Sequence, residues 1–546
     1  MNLKDTSIYK ILLIVIAVFS ALALFGGIME PDSALYASIA KNMVLRNDWV
    51  NIYVRGADWL DKPHLTFWLA AASFKVFGIN TFAYKLPSFL FGLLGAGYTY
   101  KLAKDIYNAK TGLISALIFL SALHVLISTF DVRAEIYITT FTLAAIYHYF
   151  KAHKNSFWHI VLGSFFAACA IMIKGIFVLI PVFGGFIIYW LLTNQWKQLL
   201  KIKWWLAIAL ILIFIIPELY TLYIQFDLHP EKVVFGKTGV SGLKFFFWDS
   251  QFGRFFNNGP IKGKGDISFF LHTTLWAFLP WSILFYTAVF NLFKKKNRIS
   301  LPAESIFIWV SAAITFLLFS LSKFQLPHYI LIILPQFAII TALYLQKLEG
   351  KNLKVFFIIQ SILAVLIVAI LSAVSIFFKF EYYSIANSIL IVLLLSSILF
   401  FKDLKLETVI TRSVFSSIGL MIFLSGFFYP AVLKYESGMA AGIWLKQNQP
   451  NAKAAVLMHP DAFSFDFYAN GEPQYFWNYE TLEKFKTDKD LVIYTPESEL
   501  ERLKKDYHAE ILKSFEYYHI TKLTGKFINV KTRPQFLEHF YLVKLH

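Results

Sequence analysis

Apolar residues in this chain come in blocks of roughly 18–25, the length a helix needs to cross the hydrocarbon core of a bilayer. No water reaches backbone N–H and C=O groups there, so a spanning segment must satisfy its own, and a helix does so where an isolated strand cannot. About thirteen such blocks can be counted, from 9–28 to 412–433. The chain is 58% hydrophobic and 16% charged, where a soluble protein has about 45–50% and about 25%. The first apolar run follows Lys4 and Lys10 and no small-residue cleavage site comes after it, so it reads as a retained span rather than a signal peptide.

The loops between blocks alternate in character. One set is short and rich in lysine: Lys101, Lys104 and Lys110; Lys151 and Lys154; Lys197, Lys201 and Lys203; Lys294, Lys295, Lys296 and Arg298; Lys347, Lys351 and Lys354; Lys402, Lys405 and Arg412. Short loops with this bias stay cytoplasmic, which puts the other set, and the end of the chain, outside. Juxtamembrane lysines also account for the net charge of +17 without nucleic acid, since no basic stripe lies in a soluble segment. The apolar stretch 64–78 is short and holds Lys75. Counted as a span it would invert every later loop, so it is expected to lie at the outer interface.

Two outer segments, 29–81 and 225–267, are too long for simple turns, and long loops in compact domains are commonly functional. After about residue 433 the polar residues return. Short β-rich runs (Ala454–Met458, Leu491–Tyr494, Phe540–Val543) alternate with helical patterns (Gly438–Gln447, Pro496–Tyr507). The expected fold class is therefore an all-α polytopic membrane protein over 1–433 with an extracytoplasmic α/β domain over 434–546. The single cysteine, Cys169, excludes an intrachain disulfide and a thiolate metal cluster. Gly236-Lys237-Thr238 ends like a phosphate-binding P-loop, but Glu231 stands where its first glycine belongs.

The residues suited to chemistry gather in the outer set. Asp32 follows Pro31 at a helix start; such a carboxylate either favours the helix dipole or accepts a proton from an attacking hydroxyl. Asp61-Lys62-Pro63 sets opposite charges in a fixed turn, and a lysine there can neutralise a phosphate. Asp131, Arg133 and Glu135 lie between the third and fourth blocks; on one helix Asp131 and Glu135 would share a face. Lys174-Gly175 interrupts two apolar runs almost without a loop, and an ionisable group at that depth is functional by default. Lys323 and His328 join the ninth and tenth blocks, and Arg254 sits among aromatics. This collection, richer in cations than carboxylates and beside apolar helices, suits a lipid with a phosphate head group.

The ordered set resembles the GT-C glycosyltransferases over about 1–345. It comprises Glu30-Pro31-Asp32 with Tyr36-Ala37, Asp48-Trp49, Asp61-Lys62-Pro63, Lys174-Gly175, Phe252-Gly253-Arg254-Phe255 with Leu279-Pro280-Trp281, and Lys323 to Tyr329. It is most similar to the bacterial aminoarabinose lipid A transferases and the protein O-mannosyltransferase-like enzymes. The resemblance implies inverting transfer of a sugar from a polyprenyl-phosphate donor to a lipid, glycan or protein acceptor at the outer leaflet of a bacterial inner membrane. It implies catalytic roles for Asp32, Glu135 and Asp131, and phosphate binding by Lys62, Lys174, Arg254, Arg133, Lys323 and His328. Asp61 stands where the lipid A enzyme has a glutamate linked to a divalent metal, and Gln251 where it has a histidine, which leaves Asp61 as the one candidate metal ligand. Ser33 replaces an acid and Leu35 a frequent arginine, departures that fit a different donor or acceptor. The rival reading is a lipid-phosphate transporter using the same cations without chemistry.

Overall fold

The structure is a computed structural model that describes residues 6–154, 156–292, 302–459 and 462–546. The lysine loop with Lys294, Lys295, Lys296 and Arg298 lies outside the described residues, as does Lys4. The chain runs α1 (Ser7–Leu22), α2 (Asp32–Arg46), α3 (Leu65–Phe77), α4 (Thr81–Ile106), α5 (Ala109–Ser121), α6 (Leu123–Phe130), α7 (Ala134–His153) and α8 (Phe157–Lys174), then a further series of apolar helices.

Among the described residues, six helices are long and apolar enough to cross a membrane, or seven if α5 and α6, bent by 57°, count as one broken span. Five shorter apolar helices of 10–17 residues, such as Ser305–Leu321 and Tyr383–Leu399, stand beside them. The expected blocks 82–100 and 134–150 fall in α4 and α7, which are long enough but carry Lys85, Lys101 and Lys104, or Glu135 and Lys151. Of these, Lys85 and Glu135 are buried in the bundle, whereas Lys101 and Lys104, near the far end of α4, are exposed. Lys85 donates to the carbonyls of Gly26 at 2.9 Å and Gly27 at 2.8 Å. The helix Gly350–Phe378 instead leaves Ile358, Ile362, Leu366 and Ile370 exposed along one side, the stripe expected of a surface that meets lipid tails rather than water.

Among the described residues, the segment after α1 holds no helix long and apolar enough to cross a membrane. It forms α2, a small hairpin of β1 (Tyr53–Val54) and β2 (Ala57–Asp58), and α3, with α2 packed on α3. The hairpin turns at Arg55-Gly56, where φ is +54° and +75°. Stretch 64–78 is thus a separate helix, α3, before α4.

The C-terminal part holds β3 (Lys453–Leu457), β4 (Gln474–Phe476), β5 (Leu491–Pro496), β6 (Glu510–Tyr517) and β7 (Glu538–Lys544), in the order β4-β3-β5-β7-β6. β3 pairs in parallel with β4 and β5, and β7 is antiparallel to β5 and β6. Alternate residues go to opposite faces: Val456, Tyr494 and Leu542 pack with Leu445 and Phe465, while Leu457, Ile493 and Val543 pack with Leu482 and Leu503. Three strands coincide with the β-rich runs of the sequence. β4 is only three residues long, and β6 is an edge strand carrying Glu510, Lys513 and Glu516, so neither has an apolar signal.

Candidate active site

Several chain segments meet where α2 starts. Asp32 opens the first turn of α2 and Tyr36 lies one turn on, on the same face. The α6–α7 connection supplies Asp131, Arg133 and Glu135. Here the structure departs from a shared helical face for Asp131 and Glu135. The backbone is extended at Arg133 (φ −124°, ψ 146°), so the two carboxylates leave in different directions.

Arg133 grips both acids on its side. Its Nε and Nη2 donate to Asp131 Oδ2 at 3.0 and 2.8 Å, and its Nη1 pairs with Asp32. Asp131 is buried and its Oδ1 meets no donor among the described residues. Burial pushes the Asp131 carboxyl above the usual range, and Arg133 offsets this only in part. Burial works against the charge on Arg133, but Asp131 and Asp32 overcome it and hold the guanidinium firmly protonated.

Glu135 turns the other way, to Lys174, the last residue of α8, and the two form an ion pair with His328 Nε2 at 3.7 Å from Glu135 Oε1. Lys174 Nζ also stands 3.8 Å from the centre of the Tyr329 ring. Gly175 is what lets the chain turn here: its φ is +99°, and a side chain would run into Gln251. Gln251 Nε2 donates to the Lys174 carbonyl at 3.1 Å.

On the third side, Asp61 accepts from Lys62 at 2.5 Å and pairs with Arg254, whose guanidinium lies over the Phe324 ring. Burial alone would raise the Asp61 carboxyl, but Lys62 and Arg254 outweigh it and bring it down to about 2. Lys62, Lys174 and Arg254 line one cavity of about 330 Å³ whose other walls include Ile176, Phe177, Phe255, Leu318 and Phe319. The charges of Lys62, Arg254, Asp32 and Asp61 all act on Lys174, and those of Arg133, Lys174 and Lys62 on His328.

The expected residues Asp32, Asp61, Lys62, Asp131, Arg133, Glu135, Lys174, Arg254 and His328 are therefore brought together. Lys323 is not. Its side chain is exposed, and it is the neighbouring Phe324 that lines the cavity. Asp61 does not suit a metal ion: two cations already hold its carboxylate, the nearby Gln251 gives its amide to Lys174, and among the described residues no three His, Cys, Asp or Glu side chains group as a metal site would. Tyr36 and Tyr329 belong to the motifs quoted from the sequence but were given no role there; the spacing of Tyr36, four from Asp32, was a signal for one, whereas the place of Tyr329 beside Lys174 comes from a fold contact.

Residues 61–221 match the family described as dolichyl-phosphate-mannose-protein mannosyltransferase. An uncharacterized protein of Aquifex aeolicus is 29% identical over 439 residues, 78% of this chain and 79% of that one. An undecaprenyl phosphate-alpha-4-amino-4-deoxy-L-arabinose arabinosyl transferase of Proteus mirabilis is 23% identical over 65% of this chain, and the matched stretch spans 64% of that protein. The crystal structure of ArnT from Cupriavidus metallidurans bound to undecaprenyl phosphate superposes with a TM-score of 0.78 at 16% identity, covering 98% of both chains. The chain has that fold, and it is similar in sequence and architecture to the GT-C glycosyltransferases.

Proposed function

We propose, from this similarity and from the geometry of the site, that the chain is an integral-membrane glycosyltransferase that moves a sugar from a polyprenyl-phosphate donor to an acceptor at the outer leaflet. The observation that carries the reading is the cavity of about 330 Å³ that joins three cations to apolar walls: its walls suit a polyprenyl tail and Lys62, Lys174 and Arg254 suit the phosphate. In the reaction the bond between sugar C1 and the phosphate oxygen breaks as a bond from the acceptor oxygen to C1 forms on the opposite face, with inversion. The acceptor's proton goes to Asp32, and the three cations hold the charge that grows on the departing phosphate. Arg133 and Asp131 orient Asp32, and Glu135 with His328 orients Lys174. No step calls on a metal ion.

The same reading supplies the topology. The chain crosses the membrane about thirteen times, with its N-terminus cytoplasmic. Residues 1–433 form the transmembrane catalytic domain, with outer loops 29–81 and 225–267, and 434–546 form an extracytoplasmic domain. The membrane is the bacterial inner membrane.

The test is release of free polyprenyl phosphate from a labelled polyprenyl-phosphate sugar by the purified protein in lipid nanodiscs, together with mass spectrometry of surface lipids and glycans from a deletion strain. A transporter would move the donor and release nothing, and that result would overturn the proposal.

A further inference from the structure

The short helix Phe463–Tyr468 of the C-terminal region touches the segment that delivers Asp32 at three points. Near its start, the backbone N–H and the hydroxyl of Ser464 donate to Glu30 Oε1 at 2.7 and 2.6 Å. At its far end, Lys41 of α2 extends Nζ to the carbonyls of Asp466 at 2.5 Å, Phe467 at 3.2 Å and Ala469 at 2.7 Å. Between them the Tyr468 hydroxyl accepts from the Ile28 N–H at 3.0 Å. Glu30, Lys41 and Ser464 are all buried. A lysine ammonium out of water carries a cost that carbonyl contacts must offset, and Lys41 directs its three donors to buried carbonyls at the C-terminal end of the short helix, where helix carbonyls lack intrahelical partners.

The helix is also pressed from behind. On the helix Ser437–Asn448, a side chain at Gly438 would meet Ser464 Oγ at 2.5 Å, and one at Gly442 would meet Tyr468 Cβ at 2.8 Å. These two glycines, four apart on one face, let the short helix lie directly against the helix Ser437–Asn448 on the side away from α2. A further tie comes from Arg46, whose Nε and Nη2 donate to Glu472 at 2.7 and 2.6 Å.

We propose that this helix is a splint for Asp32: the C-terminal region fixes residues 28–41 at both ends, and Glu30, Lys41 and Ser464 are positioning residues through which it sets the Asp32 carboxylate against Arg133. The argument rests on the role given to Asp32 above. Asp32 itself is 37% exposed at its side chain and has Arg133 as its ion-pair partner, so its placement depends on the backbone that carries it. A misplacement of about 1 Å in a reacting group can cost up to about 10²-fold in rate.

The test uses the full-length protein in nanodiscs with two readouts. Hydrogen exchange at the amides of 28–46 should accelerate in Lys41→Met and in Glu30→Ala. It should stay at the wild-type rate in Leu482→Ala, which loosens the opposite face of the sheet. In turnover, Lys41→Met and Glu30→Ala should lower kcat by about 10- to 100-fold while donor KM stays within about twofold. Glu30→Gln, which keeps an acceptor oxygen for Ser464, should restore most of kcat. Unchanged exchange over 28–46, wild-type kcat in folded Lys41→Met and Glu30→Ala, or a rise in donor KM alone would overturn the splint. If the wild-type protein transfers no sugar, the enzymatic reading fails, while the exchange experiment still decides the splint.

Discussion

The two ends of the site are built from the same parts in inverse ratio. At the cavity, one carboxylate, Asp61, is shared by two cations, Lys62 and Arg254. Beside α2, one cation, Arg133, is shared by two carboxylates, Asp32 and Asp131. Lys174, which lines the same cavity, is balanced by Glu135. A surplus of positive charge against apolar walls suits an anionic lipid head group. A surplus of negative charge at the half-exposed Asp32 suits a nucleophile that must lose a proton. Charge ratio, more than the presence of charge, separates a holding end from a reacting end.

The sharpest way to break this division is at Asp32. Asp32→Asn keeps the shape and a contact to Arg133 but cannot take a proton. A general base contributes typically about 10²–10⁴ in rate, so kcat should fall by that factor while donor KM holds. Equal losses in donor affinity, measured by titration of polyprenyl phosphate, would mean the two ends are one binding site and the division is wrong.

The holding end comes next. Arg254→Ala and Lys174→Met should each cost about 10²–10³ in kcat/KM, as expected for a donor aimed at developing charge. Lys174→Met also strands Glu135, which is almost wholly buried, at a cost of about 3–5 kcal/mol in stability. The double variant Lys174→Met with Glu135→Leu should recover the melting temperature and none of the activity. Recovery of both would make the pair a structural bridge.

How much of this was legible follows from what each signal depends on. Lys174 could be read because it breaks an apolar pattern, and the membrane makes such a break costly; Asp32, Lys62 and Arg254 could be read from the long outer segments and motifs that carry them. Their partners could not. The spacing of Asp131 and Glu135 suggests one helical face, but the extended backbone at Arg133 leaves Asp131 against the Arg133 guanidinium and turns Glu135 to Lys174. Lys323 reads like its neighbours in sequence, yet Phe324 takes the inward place. In the C-terminal region, β3, β5 and β7 are central and apolar and were visible. The edge strand β6 alternates charged residues and gave no strand signal. Periodicity reports burial; it does not report which buried groups face one another.

The acid end should show its own pH behaviour. Asp131 has its carboxyl raised above the ordinary range by burial, so it takes up a proton earlier than a free carboxylic acid as pH falls. Protonation removes one of the two charges that Arg133 balances, leaving Asp32 to neutralise the guanidinium alone and weakening it as a base. The acid limb of the kcat/KM profile should therefore lie above the ordinary carboxylate range. Asp131→Asn should flatten it, with activity already reduced at neutral pH. An acid limb of unchanged position in Asp131→Asn would assign it to another group.

The smallest effect belongs to Tyr36, and it tests whether the two ends communicate. Burial, and then the charges of Asp32 and Asp61, push its hydroxyl well above the usual range, so it remains a proton donor at any working pH. Those two carboxylates belong to opposite ends of the site. A hydrogen-bond donor contributes typically about 0.5–1.5 kcal/mol where it is used, so Tyr36→Phe should lower kcat/KM by roughly 2- to 10-fold. A change confined to kcat would place Tyr36 with Asp32, and one confined to donor KM would place it with Asp61. If it serves as the link between the two triads, kcat and donor KM move together, and Tyr36→Phe combined with Asp32→Asn or with Lys62→Met departs from additivity in both cases. Additivity in both double variants would leave the two ends electrostatically independent, each set by its own ratio of charges.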